Sequence, residues 1–199
     1  MTIQDLKNNA VQSFTESGST TPFLDADCLL QFLFNKDKTW ILLHRNENVA
    51  PELEADFAKL VQKRKTGLPV AYITGKKEFY GIEYYVTPDV LIPKPDTEIL
   101  VEKAVEKISA CRKESVKIID VCSGSGCVGL STLKELENNA GADRFHLTMT
   151  DLSKNALLVT EKNARNIFDE TFIKKHMDFL NGDLLCGKTG FDFILSNPP

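Results

Sequence analysis

Short apolar segments alternate with segments of helical periodicity from Leu91 to the end of the chain, and this alternation limits the possible folds more than any other feature. The predicted strands are 117–121, 145–150, 176–180 and 191–195. The main predicted helices cover 97–110, a segment ending near 136, and 153–167. Such alternation predicts an α/β fold with a parallel sheet covered on both faces. Ligands of these sheets bind beyond the carboxyl ends of the strands.

The region before Leu91 follows a different pattern. The first residues to recur at helical spacing are Ile3, Leu6, Ala10 and Phe14, and helices are expected to about residue 65. Residues 71–74 and 78–86 are rich in aromatic and β-branched residues and flank Gly75, which predicts a β-hairpin with a slightly long loop. The expected parts are a helical domain at 1–69, a hairpin linker at 70–90 and an α/β domain at 91–199.

The charge balance argues against a protein that grips nucleic acid through its phosphates. The chain has 24 Lys and Arg against 28 Asp and Glu, a formal net charge of −4. Phosphate neutralisation requires a basic face. The largest basic cluster is Lys59 with 63–65, which closes a predicted helix where positive charge complements the helix dipole. No direct nucleic-acid binding is expected.

Cysteine usage and hydropathy indicate a reduced, intracellular protein. The five cysteines are odd in number and contain no C-x-x-C pair, so neither a disulfide framework nor a metal site is predicted. The N-terminal residues lack an apolar signal core, and no run approaches the roughly 20 apolar residues of a membrane span. We expect a soluble, cytoplasmic protein that does not contact membranes.

A glycine-bearing loop follows the strand at 117–121. Its residues are Cys122, Ser123, Gly124, Ser125 and Gly126. Glycines let the backbone turn tightly and approach a ligand, and the N-terminus of the next helix favours an anionic group. With Gly129 the loop satisfies G-x-G-x-x-G, so a nicotinamide dinucleotide is one possible ligand. A glycine turn without a ligand is the other interpretation of this pattern alone.

Asp151 ends the next predicted strand. A carboxylate there can accept both hydroxyls of a ribose, or it can be an ordinary acid at the start of the helix that Ser153 caps. Asp151 follows Gly129 by about 20 residues, the spacing of a ribose-binding acid in a β-α-β unit. The spacing favours a nucleoside cofactor and leaves NAD and S-adenosyl-L-methionine open.

A proline corner follows the predicted strand at 191–195 and decides between these cofactors. Consecutive prolines, Pro198 and Pro199, cannot continue a central strand because they lack an N–H. Pro198 also favours an extended conformation at Asn197. A stiff corner of this kind can accept both N–H bonds of a planar NH₂ group through the Asn197 side-chain oxygen and a proline carbonyl. This favours methyl transfer to a planar nitrogen.

The order of these motifs resembles the HemK-type release factor glutamine methyltransferases. The stretches that carry the resemblance are Gly67–Gly75, Glu78–Gly81, Leu91–Glu98, the glycine loop, Asp151, Gly182–Leu184 and Asn197–Pro199. The Ile-Pro-Lys-Pro-Asp-Thr-Glu segment is the most specific. Two positions depart from the family: Lys94 stands where Arg is usual, and Cys122 where Gly is usual. The family motif also continues with Tyr after the prolines.

The resemblance implies a Rossmann-like S-adenosyl-L-methionine-dependent methyltransferase fold, with an incomplete sheet here, after a helical substrate-docking domain. It implies that S-adenosyl-L-methionine is bound by the 122–126 backbone, with Asp151 on the ribose, Asp183 and Leu184 beside the adenine, and Asn197 near the methyl group. The implied catalytic residues are Asn197 and Pro198. With Pro199 they would bind the substrate, the glutamine of a Gly-Gly-Gln loop in a class 1 peptide chain release factor.

The family's sheet and motif both continue beyond Pro199, so we expect the 199-residue chain to be cut within the motif and to be inactive or nearly so. Two other readings stay open. One is an N6-adenine methyltransferase acting on nucleic acid, which would use a similar Asn-Pro-Pro corner. The other is a remnant that binds cofactor without catalysis. A NAD-dependent oxidoreductase is a weaker rival.

Overall fold

The computed structural model describes residues 1–140 and 143–198. The chain divides into two compact units, Met1–Gly75 and Lys76–Pro199. No helix of the described residues combines the length and apolar character needed to cross a membrane. Each unit has a hydrophobic core of its own.

Helices build the described first unit. They are α1 (Ile3–Glu16), α2 (Pro22–Phe34), α3 (Lys38–Leu43), α4 (Pro51–Lys65) and α5 (Val70–Thr74). The predicted repeat of α1 is confirmed, since Ile3, Leu6, Ala10 and Phe14 are its buried residues. A capping box fixes the start of α1: Asp5 N–H donates to Thr2 Oγ1 at 3.1 Å, and Thr2 N–H donates to Asp5 Oδ2 at 2.9 Å. An ion pair between the largely buried Arg64 and Asp25 links α4 to α2 at 2.9 Å.

The predicted strand at 71–74 is wrong. These residues form α5, which Gly75 ends with a left-handed φ of 70°. Val70 and Ile73 lie three residues apart and pack against the helical core, a contact that the local preference of β-branched residues does not reveal. The hairpin instead joins β1 (Lys76–Phe79) to β2 (Ile82–Tyr85). Its two-residue turn has positive φ at Tyr80 and Gly81, typical of tight hairpins.

The second unit alternates helices and strands after the hairpin. A 3₁₀ turn at Pro95–Thr97 leads into α6 (Glu98–Ala110). The remaining elements are β3 (Val116–Val121), α7 (Cys127–Ala140), β4 (Phe145–Asp151), α8 (Lys154–Ile167), α9 (Glu170–His176), β5 (Met177–Asn181) and β6 (Phe193–Ser196). Among the described residues, β3 to β6 form a parallel sheet in the order β5-β4-β3-β6. The α/β prediction is confirmed, and β6 lies at the edge of this sheet.

The two faces of the sheet are covered differently. Helices α6 to α9 all contribute to one core cluster, together with alternate strand residues such as Ile118, Leu147 and Leu195. Helices α6 to α9 therefore share one core with this face of the sheet. On the other face the segment after β5 makes contact, because Thr150 Oγ1 donates to the Leu184 carbonyl at 2.8 Å.

Candidate active site at the carboxyl edge of the sheet

Three strand ends meet at one edge of the parallel sheet. Val121, the last residue of β3, pairs with Thr150 of β4 and with Ser196 of β6. The residues that follow these positions therefore become neighbours: Cys122 after β3, Asp151 at the end of β4 and Asn197 after β6. The strand-end argument from the sequence predicted this grouping.

Positive φ angles build the turn after β3. Cys122, Gly124 and Gly126 have φ of 59°, 56° and 78°. Such angles cost little for glycine but are uncommon for other residues. Cys122, which stands where related sequences are expected to carry glycine, therefore holds a strained backbone conformation.

The glycines of this region serve different purposes. A Cβ at Gly126 would meet Thr160 Cγ2 at 2.8 Å and Leu130 Cδ1 at 2.9 Å. A Cβ at Gly129 would meet Asp120 Oδ2 at 2.8 Å. At Gly124 a Cβ would meet nothing within 4 Å. Gly126 and Gly129 are thus required by packing, whereas Gly124 borders open space where another molecule can approach.

Asp151 fastens this turn to the start of α8. Its Oδ2 accepts the Gly124 N–H at 2.9 Å, and its Oδ1 accepts the Ser153 N–H at 2.9 Å. Ser153 in turn caps α8, as predicted, by accepting the Ala156 N–H at 3.2 Å. Each carboxylate oxygen has a second lone pair, so Asp151 can accept further hydrogen bonds from a ligand while it holds the backbone.

A cavity of about 300 Å³ opens beside the turn. Six of the predicted site residues line it: Cys122, Gly124, Asp151, Asp183, Leu184 and Asn197. Its size and mixed lining are typical of sites for small molecules. The cavity combines acidic acceptors, the open space at Gly124 and the exposed apolar side chains of Leu152 and Leu184. These residues fit a nucleoside with a charged amino-acid tail.

A second, smaller cavity of about 40 Å³ shares part of this wall. Residues common to both cavities are Leu91, Cys122, Gly124 and Asn197. The smaller one is also lined by Lys94, Thr97, Asp120, Ser123 and Ser125. Asn197 therefore stands where the two cavities adjoin.

Asp120 places a buried carboxyl in the wall of the smaller cavity. Only 2% of this residue is exposed. Burial raises the pKa of Asp120 to about 7, the nearby charge of Asp151 adds to the rise, and the hydrogen bond from the Gly129 N–H at 2.9 Å opposes it. No role is predicted for Asp120 from the sequence alone.

The corner after β6 is held more loosely. Ser196 Oγ donates to the Val121 carbonyl at 2.9 Å. The Asn197 amide is exposed, and its contact with Thr97 Oγ1 is long at 3.4 Å. Pro198 is exposed as well, and Pro199 lies outside the described residues. Neither Pro198 nor Gly126 is among the residues that line the two cavities, so their predicted contacts with ligands stay predictions.

Sequence reasoning missed two parts of the site. The segment from Asp89 to Lys94 lines the cavities, although only its residues from Leu91 onward had been used, as a signature of resemblance. Thr160 and Asn163 of α8 are fully buried behind the glycine turn. The sequence pattern that could have identified them is weak: the two polar residues recur at helical spacing on the same face as the buried Ala156.

Two family models match the chain in succession. The PrmC N-terminal domain matches residues 5–75, and the methyltransferase small domain matches residues 95–199. The second match starts at the 3₁₀ turn before α6 and includes every residue of the glycine turn, Asp151 and the Asn197 corner.

Relatives of known name match over most or all of the chain. It is 32% identical over 202 residues to a release factor glutamine methyltransferase of Koribacter versatilis, covering 100% of this chain and 67% of the relative. The enzyme of Moorella thermoacetica is 33% identical over 201 residues with the same coverage. That of Bordetella pertussis is 35% identical, covering 89% of this chain and 62% of the relative. The chain thus spans about two thirds of the length of these relatives.

Solved structures with similar folds include a SAM-dependent methyltransferase of Agrobacterium tumefaciens. It is 17% identical with a TM-score of 0.45, covering 62% of this chain and 39% of that protein. The methyltransferase small domain and the named relatives together imply S-adenosyl-L-methionine as the cofactor. By the extent and identity of these matches, the chain belongs to the release factor glutamine methyltransferase family.

Proposed function

We propose that this protein transfers a methyl group from S-adenosyl-L-methionine to the side-chain nitrogen (N5) of the glutamine in the Gly-Gly-Gln motif of a class 1 peptide chain release factor. One observation carries the proposal: Gly124, Asp151 and Asn197, contributed by three strand ends, line a single cavity. The residues that would bind the cofactor therefore lie next to the residue that would hold the substrate amide, as methyl transfer between the two requires.

The cofactor side of the site consists of the glycine turn and two acids. The backbone of residues 122–126 would hold the amino-acid tail, and Asp151 would accept the ribose hydroxyls. Asp183 and Leu184 would lie beside the adenine, with the exposed Leu184 giving it an apolar contact. S-adenosyl-L-methionine supplies a methyl group activated by its sulfonium.

The substrate side consists of Asn197 and the prolines after it. An amide nitrogen is a poor nucleophile because its lone pair is delocalised into the carbonyl. Asn197 and the Pro198 carbonyl would accept the two N–H bonds and hold the nitrogen in line with the methyl group, with Pro199 beside the substrate. Held in this way, the nitrogen would take the methyl group, the neutral thioether S-adenosylhomocysteine would leave, and the methylated nitrogen would lose a proton to water. Positioning is therefore the main catalytic device.

The helical unit is the proposed docking surface for the release factor. Residues 1–69 were expected to form a substrate-docking domain, with 70–90 linking it to the methyltransferase domain at 91–199. Because α5 extends the helical unit to Gly75, we assign docking to Met1–Gly75 and the hairpin to the catalytic unit. The proposed partner is a protein of translation, so the proposed location is the cytoplasm.

We further propose that the 199-residue chain by itself transfers methyl groups far more slowly than its longer relatives. The Asn197 amide is exposed and has one long contact, and β6 lies at the sheet edge. Errors of about 1 Å in placing reacting groups can lower a rate roughly 100-fold. Exposed edge strands also favour association between chains.

Cofactor binding is the first test. Calorimetry should detect S-adenosyl-L-methionine binding to the wild-type chain, and Asp151→Ala should weaken it at least about tenfold, since one carboxylate serves both ribose and turn. NADH fluorescence titration serves as the control for a nicotinamide cofactor. Binding of NADH but not of S-adenosyl-L-methionine would refute the proposed cofactor.

Methyl transfer is the second test and needs enzyme in excess over substrate, so that slow turnover is still seen. A release factor and its Gln→Ala variant at the Gly-Gly-Gln position are incubated with methyl-labelled cofactor, beside the Moorella thermoacetica relative as a positive control. Mass spectrometry should locate the slow transfer at that glutamine alone. Transfer to an adenine oligonucleotide instead would favour a nucleic-acid substrate. The absence of any transfer would exclude catalysis by this chain. A rate equal to that of the relative would overturn the proposal that this chain is slow.

A further inference from the structure

Helix α8 buries two polar side chains behind the glycine turn. Thr160 and Asn163 are both 0% exposed and lie three residues apart, on one face of the helix. Burial of a hydroxyl or an amide is costly unless every polar atom finds a partner. Their partners therefore indicate why this face of α8 is polar.

The Asn163 amide joins the turn to the hairpin. Its Nδ2 donates to the Ser125 carbonyl at 2.8 Å and to the Tyr85 carbonyl at 2.9 Å. Its Oδ1 accepts the Tyr85 N–H at 2.7 Å. One fully buried side chain thus holds the last residue of β2 and the middle of the glycine turn at a fixed separation.

Thr160 holds the preceding peptide of the same turn. Its hydroxyl donates to the Gly124 carbonyl at 2.8 Å. In a planar trans peptide the carbonyl and the following N–H point in opposite directions. By fixing the Gly124 and Ser125 carbonyls against α8, the two side chains aim the Ser125 N–H away from α8, while the Gly126 N–H donates within the turn to the Ser123 carbonyl at 2.7 Å.

The same helix also holds the opposite wall of the cavity. Tyr85 leads into the segment Asp89–Lys94, which lines both cavities. Asn155, in the first turn of α8, donates to Asp89 Oδ1 at 3.1 Å. The glycine turn and the segment Asp89–Lys94 are therefore both bonded to α8, the turn through Thr160 and Asn163 and the segment through Asn155.

We propose that Asn163, assisted by Thr160, is a positioning residue for cofactor binding: it orients the peptides of the glycine turn and fixes this turn against the end of β2. The inference rests on the proposed role of the 122–126 backbone in holding S-adenosyl-L-methionine. It adds residues that have no contact with the cavity and act through the backbone alone.

The test compares affinity with stability. Asn163→Ala should raise the Kd for S-adenosyl-L-methionine at least tenfold. Ile108→Ala, at a fully buried site in α6, removes core packing away from the turn and serves as the matched control. Ile108→Ala should lower the Tm at least as much as Asn163→Ala does, while its Kd stays within twofold of wild type. Equal Kd values for Asn163→Ala and wild type would overturn the inference.

A conservative pair at Thr160 provides the rescue. Thr160→Ser keeps the hydroxyl and should retain the wild-type Kd, whereas Thr160→Val removes the bond to the Gly124 carbonyl with little change of shape and should raise the Kd about fivefold. Equal values for Ser and Val would contradict the orienting role. If wild type fails to bind the cofactor, the proposed function falls and this inference with it; if wild type binds and only the Asn163 and Thr160 effects are missing, this inference alone falls.

Discussion

The segments that follow β3 and β6 lie side by side at the carboxyl edge of the sheet, yet they are held very differently. The turn after β3 is fastened by Asp151, Thr160 and Asn163, each within 2.9 Å of a backbone partner in that turn. Among the residues that the structure describes, the corner after β6 has one short side-chain bond, from Ser196, and the exposed Asn197 beyond it.

The difference separates two requirements of methyl transfer. A bound cofactor must be held in one orientation, and the β3 turn is preorganised for this by buried hydrogen bonds. A protein substrate would be placed by the β6 corner, where the Asn197 amide has one long contact among the described residues. The described residues thus build the cofactor half of the site more completely than the substrate half.

The largest expected effect comes from adding a methyl group inside the turn after β3. Gly126→Ala would push a methyl group into Thr160 and Leu130 at under 3.0 Å, at a positive φ as well. We expect a loss of about 2–4 kcal/mol in the free energy of unfolding, from overpacking and backbone strain together. Urea titration followed by circular dichroism measures it.

Gly124→Ala is the matched control in the same turn. Its φ is also positive, but the added methyl meets nothing within 4 Å. The expected loss is about 1 kcal/mol, from backbone strain alone. Equal losses at the two glycines would mean that the packing of Thr160 and Leu130 does not constrain the turn.

The next effect is a pH dependence of the free energy of unfolding that arises from Asp120, near the end of β3. Its pKa of about 7 in the folded protein lies above the ordinary value of about 3.9. The folded state therefore binds this proton more tightly, so the contribution of Asp120 to stability is fully present below about pH 4 and is lost as the pH rises to about 7. We expect a loss of about 2 kcal/mol, half of what three pKa units represent, because relaxation and water entry weaken burial.

Asp120→Asn isolates this contribution. The Asn side chain keeps an acceptor for the Gly129 N–H but carries no titrating proton. Unfolding midpoints in urea at about pH 5 and about pH 8 should differ less for this variant than for wild type. An unchanged pH dependence would show that Asp120 is ionised in the fold at low cost.

The sequence located the site because strand ends can be recognised from pattern alone. Asp151 and Asn197 were placed together by the rule that parallel strands share one carboxyl edge. No such rule assigns Thr160 and Asn163 to the site, because a polar residue in an amphipathic helix is usually solvated. Their backbone partners are brought to them only by the tertiary structure. The helix α5 was missed for a similar reason: packing of Val70 and Ile73 overrides the local preference of β-branched residues.

The smallest expected effect comes from the loosely held corner, and one substitution made at two sites measures the contrast. Asn163→Ala removes three hydrogen bonds from a fully buried amide and should cost about 2–3 kcal/mol. Asn197→Ala removes one long contact of an exposed amide and should cost less than about 0.5 kcal/mol. The Kd for S-adenosyl-L-methionine should change at most about threefold for Asn197→Ala, while the slow methylation of the release factor should disappear, because the amide acts on the substrate rather than on the fold. A loss of stability at Asn197 as large as at Asn163 would show that the corner is part of the rigid framework and would remove the distinction between the two halves of the site.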